Sequence, residues 1–489
     1  MLHELITKLS LKSRIIILYG IKKKRGFYMQ ENKMGVMPVK KLIITMSVPM
    51  MISMLVQALY NIVDSVFVAR VSEDALTAVT IMFPMQNLMI AVGAGTGVGV
   101  NALLSRSLGE KNFERADKAA NSAILLAFMS GIIFLLIGLF LIGPFAGSQT
   151  DDVHTKEFAV SYGKIVCSFG FGLFFQIMLE RLLQSTGKTI YSMISQITGA
   201  VINTILDPIL IFGLLGAPKL GIKGAAIATI TGQSIAAVTG LMLNLKFNKE
   251  LHFSLHSILH PDLSVIKVIY SVGFPTILMM SIGSLMTYSM NRILKTFSDT
   301  ATAVFGGYFK LQSFFFMPVF GLNNGAIPVL AYNLGAKRRD RIDETLSFTL
   351  KLAFAVMTIG AIVFESIPEL LLSSFDASEH MLSIGVPALR IIALHFPVAA
   401  ISIALISVFQ AFSKSMYSLI ISLCRQIVVL IPSAYLLSLT GNVNNVWWSF
   451  PIAEVVSVTL TTIFFRKVYT SMFNEKPSLL RKRPKTDDI

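Results

Sequence analysis

The stretch SLGEKNFERAD at residues 107–117 recurs as NLGAKRRDRID at residues 333–343, which is 226 positions later. The same offset links three further pairs, namely Pro49 with Pro275, Gly99 with Gly325, and the pattern QxxxKxxYS at 184–192 with its copy at 410–418. A single offset across most of the chain indicates an internal duplication, which is common in large transporters. We therefore interpret the chain as two homologous halves.

Composition assigns each half to the membrane. Hydrophobic residues make up 54% of the chain and charged residues 14%, against about 25% charged in an ordinary globular domain. Because a membrane span takes about 20 apolar residues, the apolar runs predict twelve spans. They are expected near 42–69, 77–104, 119–146, 158–184, 190–215, 222–246, 265–294, 301–331, 346–372, 384–411, 415–440 and 446–467.

The predicted fold class is an all-α polytopic membrane protein with twelve transmembrane helices arranged as two parallel six-helix repeats. Six spans is an even number, so both halves enter from the same side and their pseudo-twofold axis lies along the membrane normal. A cleft between the halves would then open to one side at a time. The predicted domains are a basic tail at 1–40, an N-lobe at 41–246, a linker at 247–264, a C-lobe at 265–467 and a basic tail at 468–489.

Lysine and arginine predict the orientation, because cytoplasmic loops retain them. Roughly 30 of the 42 basic residues fall in segments that alternate to one side, against about five on the other. We therefore expect both termini, the linker and the most basic loops to be cytoplasmic. The net charge of +15 lies between apolar runs instead of on a soluble face, so no nucleic-acid partner is expected.

The first 40 residues are polar and basic apart from Ile15–Tyr19, a run too short for a span. No small-residue cleavage site follows that run, which argues against a cleaved signal peptide. Two interpretations remain open. Translation starts at Met29 or Met34, or the basic cluster Lys22–Arg25 binds anionic lipid.

Ionisable groups within spans are costly, so each is by default a functional candidate. Asp64 lies toward the outer half of the first span, and Asn203 and Asp207 share one face of the fifth because they are four residues apart. Pro208 leaves an upstream carbonyl without its helical donor. Two acids that share a site with few fixed positive charges suit the binding of a proton or small cation. The alternative is that both acids hydrogen-bond neighbouring backbone.

The second half does not repeat these acids, since the repeat offset places Met290 and Ser433 at the positions of Asp64 and Asp207. Cation coupling is therefore expected in the first half. Four cationic or titratable side chains of the second half could bind an anionic group, or instead snorkel or pair with backbone; they are Lys310, Arg390, His395 and Arg425.

Methionine adapts to ligands of varied shape, so the methionines of the first span of each half suit a promiscuous binding chamber. The candidate residues of the substrate cavity are Met54, Gln57, Tyr60, Asn61, Met286, Met290, Asn291 and Lys310.

Other motifs fail. Gly187-Lys188-Thr189 lacks the upstream glycine of a phosphate-binding loop, because Leu182 stands there. The three histidines of the linker have no cysteine or carboxylate framework for a metal. No enzyme activity, resident cofactor or metal is expected.

Five segments resemble the multidrug and toxic compound extrusion (MATE) transporters, in their MepA-like bacterial branch. They are Ser47-Val48-Pro49, Tyr60-Asn61-Ile62-Val63-Asp64-Ser65, Ser105-Arg106-Ser107-Leu108-Gly109, Asn203-x-x-x-Asp207-Pro208 and Gly224-Ala225-Ala226-Ile227-Ala228-Thr229. The resemblance covers about residues 40–470. It implies V-shaped six-helix lobes that export drugs in exchange for H⁺ or Na⁺. It also implies a coupling-cation site formed by Asp64, Asn203, Asp207 and Thr229.

The predicted function is thus a secondary active efflux antiporter in a bacterial cytoplasmic membrane. It would export cationic or amphipathic compounds by alternating access, contact only small molecules and membrane lipid, and act as a monomer. Two alternatives are kept. One is a flippase of lipids or lipid-linked sugars from the same superfamily, and the other is an integral membrane enzyme, for which the sequence offers no nucleophile, base or metal cluster.

Overall fold

The computed structural model describes residues 31–373 and 377–473, and within them it confirms the all-helical fold class. In this part of the chain, ten helices are long and apolar enough to cross a membrane. We number the spans in chain order and count a bent helix pair as one span, which gives twelve. Spans 1–3 are Val39–Ala69, Glu73–Gly109 and Phe113–Phe140; spans 5–9 are Thr189–Phe212, Ile222–Phe247, Leu263–Lys295, Asp299–Gly335 and Arg339–Ser366; spans 11 and 12 are Ser415–Ser438 and Val443–Phe473.

Spans 4 and 10 are bent, which the sequence did not predict. Span 4 consists of Val153–Ser168 and Phe171–Ser185 at 44°, and span 10 of Glu379–Ala393 and Phe396–Ala411 at 49°. Pro397 stands in the first turn after the second bend. Because proline has no N–H to continue the helical ladder, it explains the break.

The duplication is visible in the local backbone as well as in the sequence. Ser72 caps span 2 by accepting from the N–H of Ala75, and Ser298 caps span 8 by accepting from the N–H of Ala301. The residue that turns the chain after each of these spans, Lys111 or Lys337, has φ of 57°. Equivalent positions therefore adopt equivalent conformations.

The segments outside the two lobes are only partly described. Of the predicted tail 1–40, residues 31–40 are folded, with a short helix at Lys33–Val36 before span 1. Residues 1–30, with Met29 and the cluster Lys22–Arg25, lie outside the described residues, as do residues 474–489. Span 12 extends beyond the predicted boundary at 467. The linker contains a short helix at Leu255–Leu259.

The lobes meet tightly at one end of the bundle, which we call the basic end because it carries the turns at Lys111 and Lys337. A Cβ atom on Gly109 would lie 2.0 Å from the carbonyl oxygen of Tyr332, and one on Gly335 would lie 2.2 Å from that of Arg106, although real Cβ contacts stay beyond about 3.0 Å. Small residues are what allow helices to approach so closely. Further glycines pack across the lobes in the same way, namely Gly95, Gly99, Gly321 and Gly325.

At the opposite end, which we call the far end, span 1 is less buried. Along span 1, buried positions run from Val39 to Ser53, and none of the residues from Met54 to Phe67 is buried. The outer half of this helix is therefore only partly covered, and its described contacts include Gln196 and Phe212 of span 5. The lobes are tightly packed at the basic end, and Asp64 lies on the less buried half of span 1.

Candidate functional site

Spans 1, 5 and 6 bring together the four predicted cation-coupling residues in the first lobe. Spans 5 and 6 approach closely because glycines face each other, and a Cβ on Gly232 would lie 2.7 Å from the carbonyl oxygen of Gly199. This contact places Thr229 of span 6 beside Asn203 of span 5, with Nδ2 to Oγ1 at 3.3 Å. Their role in coupling stays a prediction.

The Asp64 and Asp207 carboxyl groups adjoin each other across spans 1 and 5, within hydrogen-bonding reach. Asp207 is fully buried. The Oδ1 atom of each acid is buried and has no hydrogen-bond partner in the described part of the chain. Because two carboxylates can share a hydrogen bond only through a proton, and because neither has a cationic partner here, the pair is suited to take up a proton or a small cation.

Asn203 links this acid pair to span 6 through an amide that fits in two orientations. In one, Nδ2 donates to Thr229. Rotated by half a turn, Nδ2 donates to Asp207 Oδ2 at 3.2 Å and the amide oxygen accepts from the Thr229 backbone N–H at 3.1 Å. The second orientation satisfies more polar atoms. In that orientation the amide positions Asp207 by donating to its carboxylate.

Span 5 continues helically through Pro208 to Phe212. Since proline has no N–H, the carbonyl of Thr204 lacks its helical donor. That carbonyl lies one turn before the acid pair. The site thus combines carboxylate, amide, hydroxyl and backbone oxygens, which are the ligands that hard cations prefer.

The sequence analysis missed two residues near the acids, Tyr162 and Gln86. Tyr162 of span 4 is buried and lies close enough to Asp64 and Asp207 for electrostatic interaction. The predicted residue Tyr60 also lies close enough to both acids for such an interaction. The Tyr162 hydroxyl accepts a hydrogen bond of 2.9 Å from Gln86 Nε2 of span 2. No sequence spacing ties spans 2 and 4 to span 1, so only the packing of the helices reveals this neighbourhood.

The candidate residues of the substrate cavity separate into two groups. Tyr60, Met54 and Gln57 lie on the half of span 1 that keeps solvent exposure, and Gln57 accepts a hydrogen bond of 2.9 Å from Gln196. Asn61, Asn291 and Lys310 also keep exposed surface. In contrast, Met286 and Met290 belong to the packed interior. In this conformation those two do not line the cleft.

The second lobe carries an ion pair between spans 11 and 12. Arg425 Nη1 of span 11 lies 3.2 Å from Glu454 Oε2 of span 12, and Glu454 is 2% exposed. The repeat offset places Glu454 at Ala228, directly before Thr229. The sequence analysis missed Glu454, although an acid within an apolar run was the available signal. His395 is buried at the bend of span 10, whereas Arg390 is exposed.

Because Arg425 neutralises Glu454, the second lobe does not offer the uncompensated acid pair of the first. Among the described residues, no group of three or more histidine, cysteine, aspartate or glutamate side chains could hold a metal ion.

Comparison with known proteins identifies relatives over nearly the whole chain. The family model MatE matches residues 49–209 and again 275–436. The multidrug export protein MepA of Staphylococcus haemolyticus is 26% identical over 466 residues, covering 94% of this chain and 99% of that protein. The FAD transporter of Shewanella oneidensis is 26% identical and covers 86% of this chain and 92% of its own.

Solved structures share the fold. A multidrug resistance MATE family transporter in its outward-facing conformation superposes with a TM-score of 0.86 at 23% identity, covering 91% of this chain and 99% of that one. The two matches of the family model begin 226 positions apart, which is the offset found in the sequence.

Proposed function

This chain belongs to the MatE family of membrane transporters, and from that premise we propose that it is a secondary active multidrug efflux antiporter. It is a multi-pass membrane transporter and not an enzyme. The proposal is that it exports cationic or amphipathic compounds in exchange for H⁺ or Na⁺. The observation that carries it is the adjoining pair Asp64 and Asp207, which has no cationic partner among the described residues.

The proposed cycle follows from the one conformation described. With the far end facing outside, the acid pair takes a proton or Na⁺ from the external medium. Binding of the cation removes the charge repulsion between the acids and changes the stability of the open cleft. Because a ligand shifts a conformational equilibrium only by its differential affinity for the two states, this neutralisation is what would couple the cation to rocking of the lobes.

We propose that the basic end, both termini and the linker lie in the cytoplasm of a bacterial cell. This orientation is supported by the excess of lysine and arginine in the loops at that end. Drug would then be released at the far end, and no resident cofactor is needed. We propose a monomer, since each chain contains both lobes and the cleft between them.

A second candidate cargo is an anionic dinucleotide, because one relative is named as a FAD transporter. A flippase of lipids or lipid-linked sugars would also require anion recognition. The pairing of Arg425 with Glu454 argues against both of these cargoes, because it leaves this arginine less available to bind an anion. The cationic cargo is therefore favoured.

The test is efflux from a bacterial host that lacks its own drug pumps. We expect cells that express the chain to extrude ethidium at least about tenfold faster than empty-vector cells when either a pH or a Na⁺ gradient is imposed, since secondary transport requires a driving ion. The gradient that drives efflux identifies the ion. Membrane insertion is checked by immunoblot of the membrane fraction. Export of FAD with no movement of any cationic dye would replace the proposal by the second candidate.

A further inference from the structure

The segment Asn32–Met37, which we call the strap, crosses the basic end before span 1 begins. It includes the short helix Lys33–Val36. Met34 is fully buried. A Cβ atom built on Gly35 would lie 3.1 Å from the ring of Tyr332 in the second lobe. A terminal segment is usually poorly ordered unless something fixes it. The contacts of the strap explain why this one is fixed.

One set of contacts joins the strap to the first lobe. Asn32 Nδ2 donates to the carbonyl oxygen of Thr186 at 3.1 Å and to Glu250 Oε2 at 2.9 Å. Glu250 is itself held by Lys188, with Nζ to Oε1 at 3.3 Å. Since the strap also continues directly into span 1, it is attached to the first lobe both covalently and by hydrogen bonds.

A second set of contacts joins the strap to the second lobe, where side chains bind its carbonyl oxygens. Arg338 Nη1 donates to Gly35 at 2.6 Å, Arg341 Nη2 donates to Met34 at 3.0 Å and to Met37 at 2.7 Å, and Asn333 Nδ2 donates to Met34 at 3.2 Å. Arg341 Nε also donates to Asn333 Oδ1 at 3.0 Å, which orients both groups. Hydrogen bonds from charged donors are the stronger kind.

The first lobe carries different residues at two of the three positions that bind the strap. The positions equivalent to Asn333 and Arg338 are Ser107 and Asn112. The position equivalent to Arg341 is Arg115, whose guanidinium instead lies 3.8 Å from Glu110. The duplicated loop therefore carries the strap contacts in one copy only.

We propose that the strap is a latch that holds the basic end closed. Opening that end requires the lobes to separate, and a segment bound to both must then release one of them. Because the strap is covalently continuous with span 1, the contacts that break are those with Arg338, Arg341 and Asn333. The latch acts on the conformational equilibrium itself, so the inference goes beyond the proposed cargo and coupling ion.

The test is the distance between the lobes at the basic end in purified full-length protein. Spin labels are placed at Glu114→Cys and Asp340→Cys, two exposed and repeat-equivalent positions, in a background without Cys167 and Cys424. In the double variant Arg338→Gln/Arg341→Gln we expect the ratio of long to short distances to rise about 100-fold, because the three hydrogen bonds that the two arginines donate to the strap are lost, each of the usual net strength. Asn32→Ala removes contacts that stay made when the basic end opens, so it should leave the ratio near the wild-type value.

The matched control is Arg115→Gln, which removes an arginine from the equivalent position of the first lobe without touching the strap. It should leave the distance distribution as in wild type. Size-exclusion profiles establish that each variant is folded. The proposal is overturned if the double variant gives the distribution of Arg115→Gln. No substrate is needed, so this result is independent of whether the proposed cargo is correct.

Discussion

Replacing Asp207 with asparagine is expected to lower gradient-driven ethidium efflux by about 100-fold or more, which corresponds to about 2.8 kcal/mol of lost coupling at 1.4 kcal/mol per tenfold. Asparagine has nearly the shape of aspartate, but it neither takes up a proton nor neutralises Na⁺. The adjoining Asp64 would then lack the partner with which it shares a cation. The measurement is the initial efflux rate, normalised to the amount of transporter in the membrane.

The repeat supplies the control for this variant. Ser433 occupies the position of Asp207 in the second lobe, and its side chain is bonded to the carbonyl of Val429 on its own helix. Ser433→Asn introduces the same amide at the equivalent place and should retain most of the efflux rate. If Asp207→Asn transports as fast as Ser433→Asn, the acid pair is not the coupling site.

Replacing Gly109 with alanine is expected to lower efflux roughly 10- to 100-fold, because overpacking a tight contact costs about 1–3 kcal/mol and here opposes closure of the basic end. The added Cβ would stand 2.0 Å from the Tyr332 carbonyl oxygen, a backbone atom that moves only if the lobes move apart. The same label pair at residues 114 and 340 should report a longer mean distance in this variant.

Gly306→Ala is the control for that prediction. Gly306 also lies in a membrane span, but a Cβ there would meet no heavy atom within 4 Å. Efflux and inter-lobe distance should both stay at wild-type values in this variant. A Gly109→Ala protein with normal efflux and an unchanged distance would mean that the close approach of the lobes is not needed for transport.

Periodicity and the repeat were sufficient to predict the fold, because apolar length and a constant offset are properties of the chain itself. The bends of spans 4 and 10 were not predicted. Phe396 and Pro397 lie within a continuous apolar run, and hydropathy does not report where a helix changes direction. Bends depend on backbone hydrogen bonding and on the helices packed alongside.

The candidate site was predicted only in part. Asp64, Asn203 and Asp207 were identified because ionisable or amide groups stand out in apolar runs, and Thr229 came from the family resemblance. Gln86 and Tyr162 were missed because they are ordinary residues for a span, and only packing brings them to the acids. The strap was missed for a related reason, since its partners Arg338 and Glu250 are more than 200 residues away in sequence.

The central claim is that Asp64 and Asp207 hold the cation that drug export releases. The most direct measurement is cation release when ethidium is added to purified transporter, followed with a pH indicator in weakly buffered detergent and, in parallel, with ²²Na⁺. We expect about one cation released per ethidium bound by the wild type and none by Asp207→Asn. The reason is that drug and cation are expected to favour different conformations of the transporter, so that binding of one promotes release of the other. Equal release from both proteins would contradict the account.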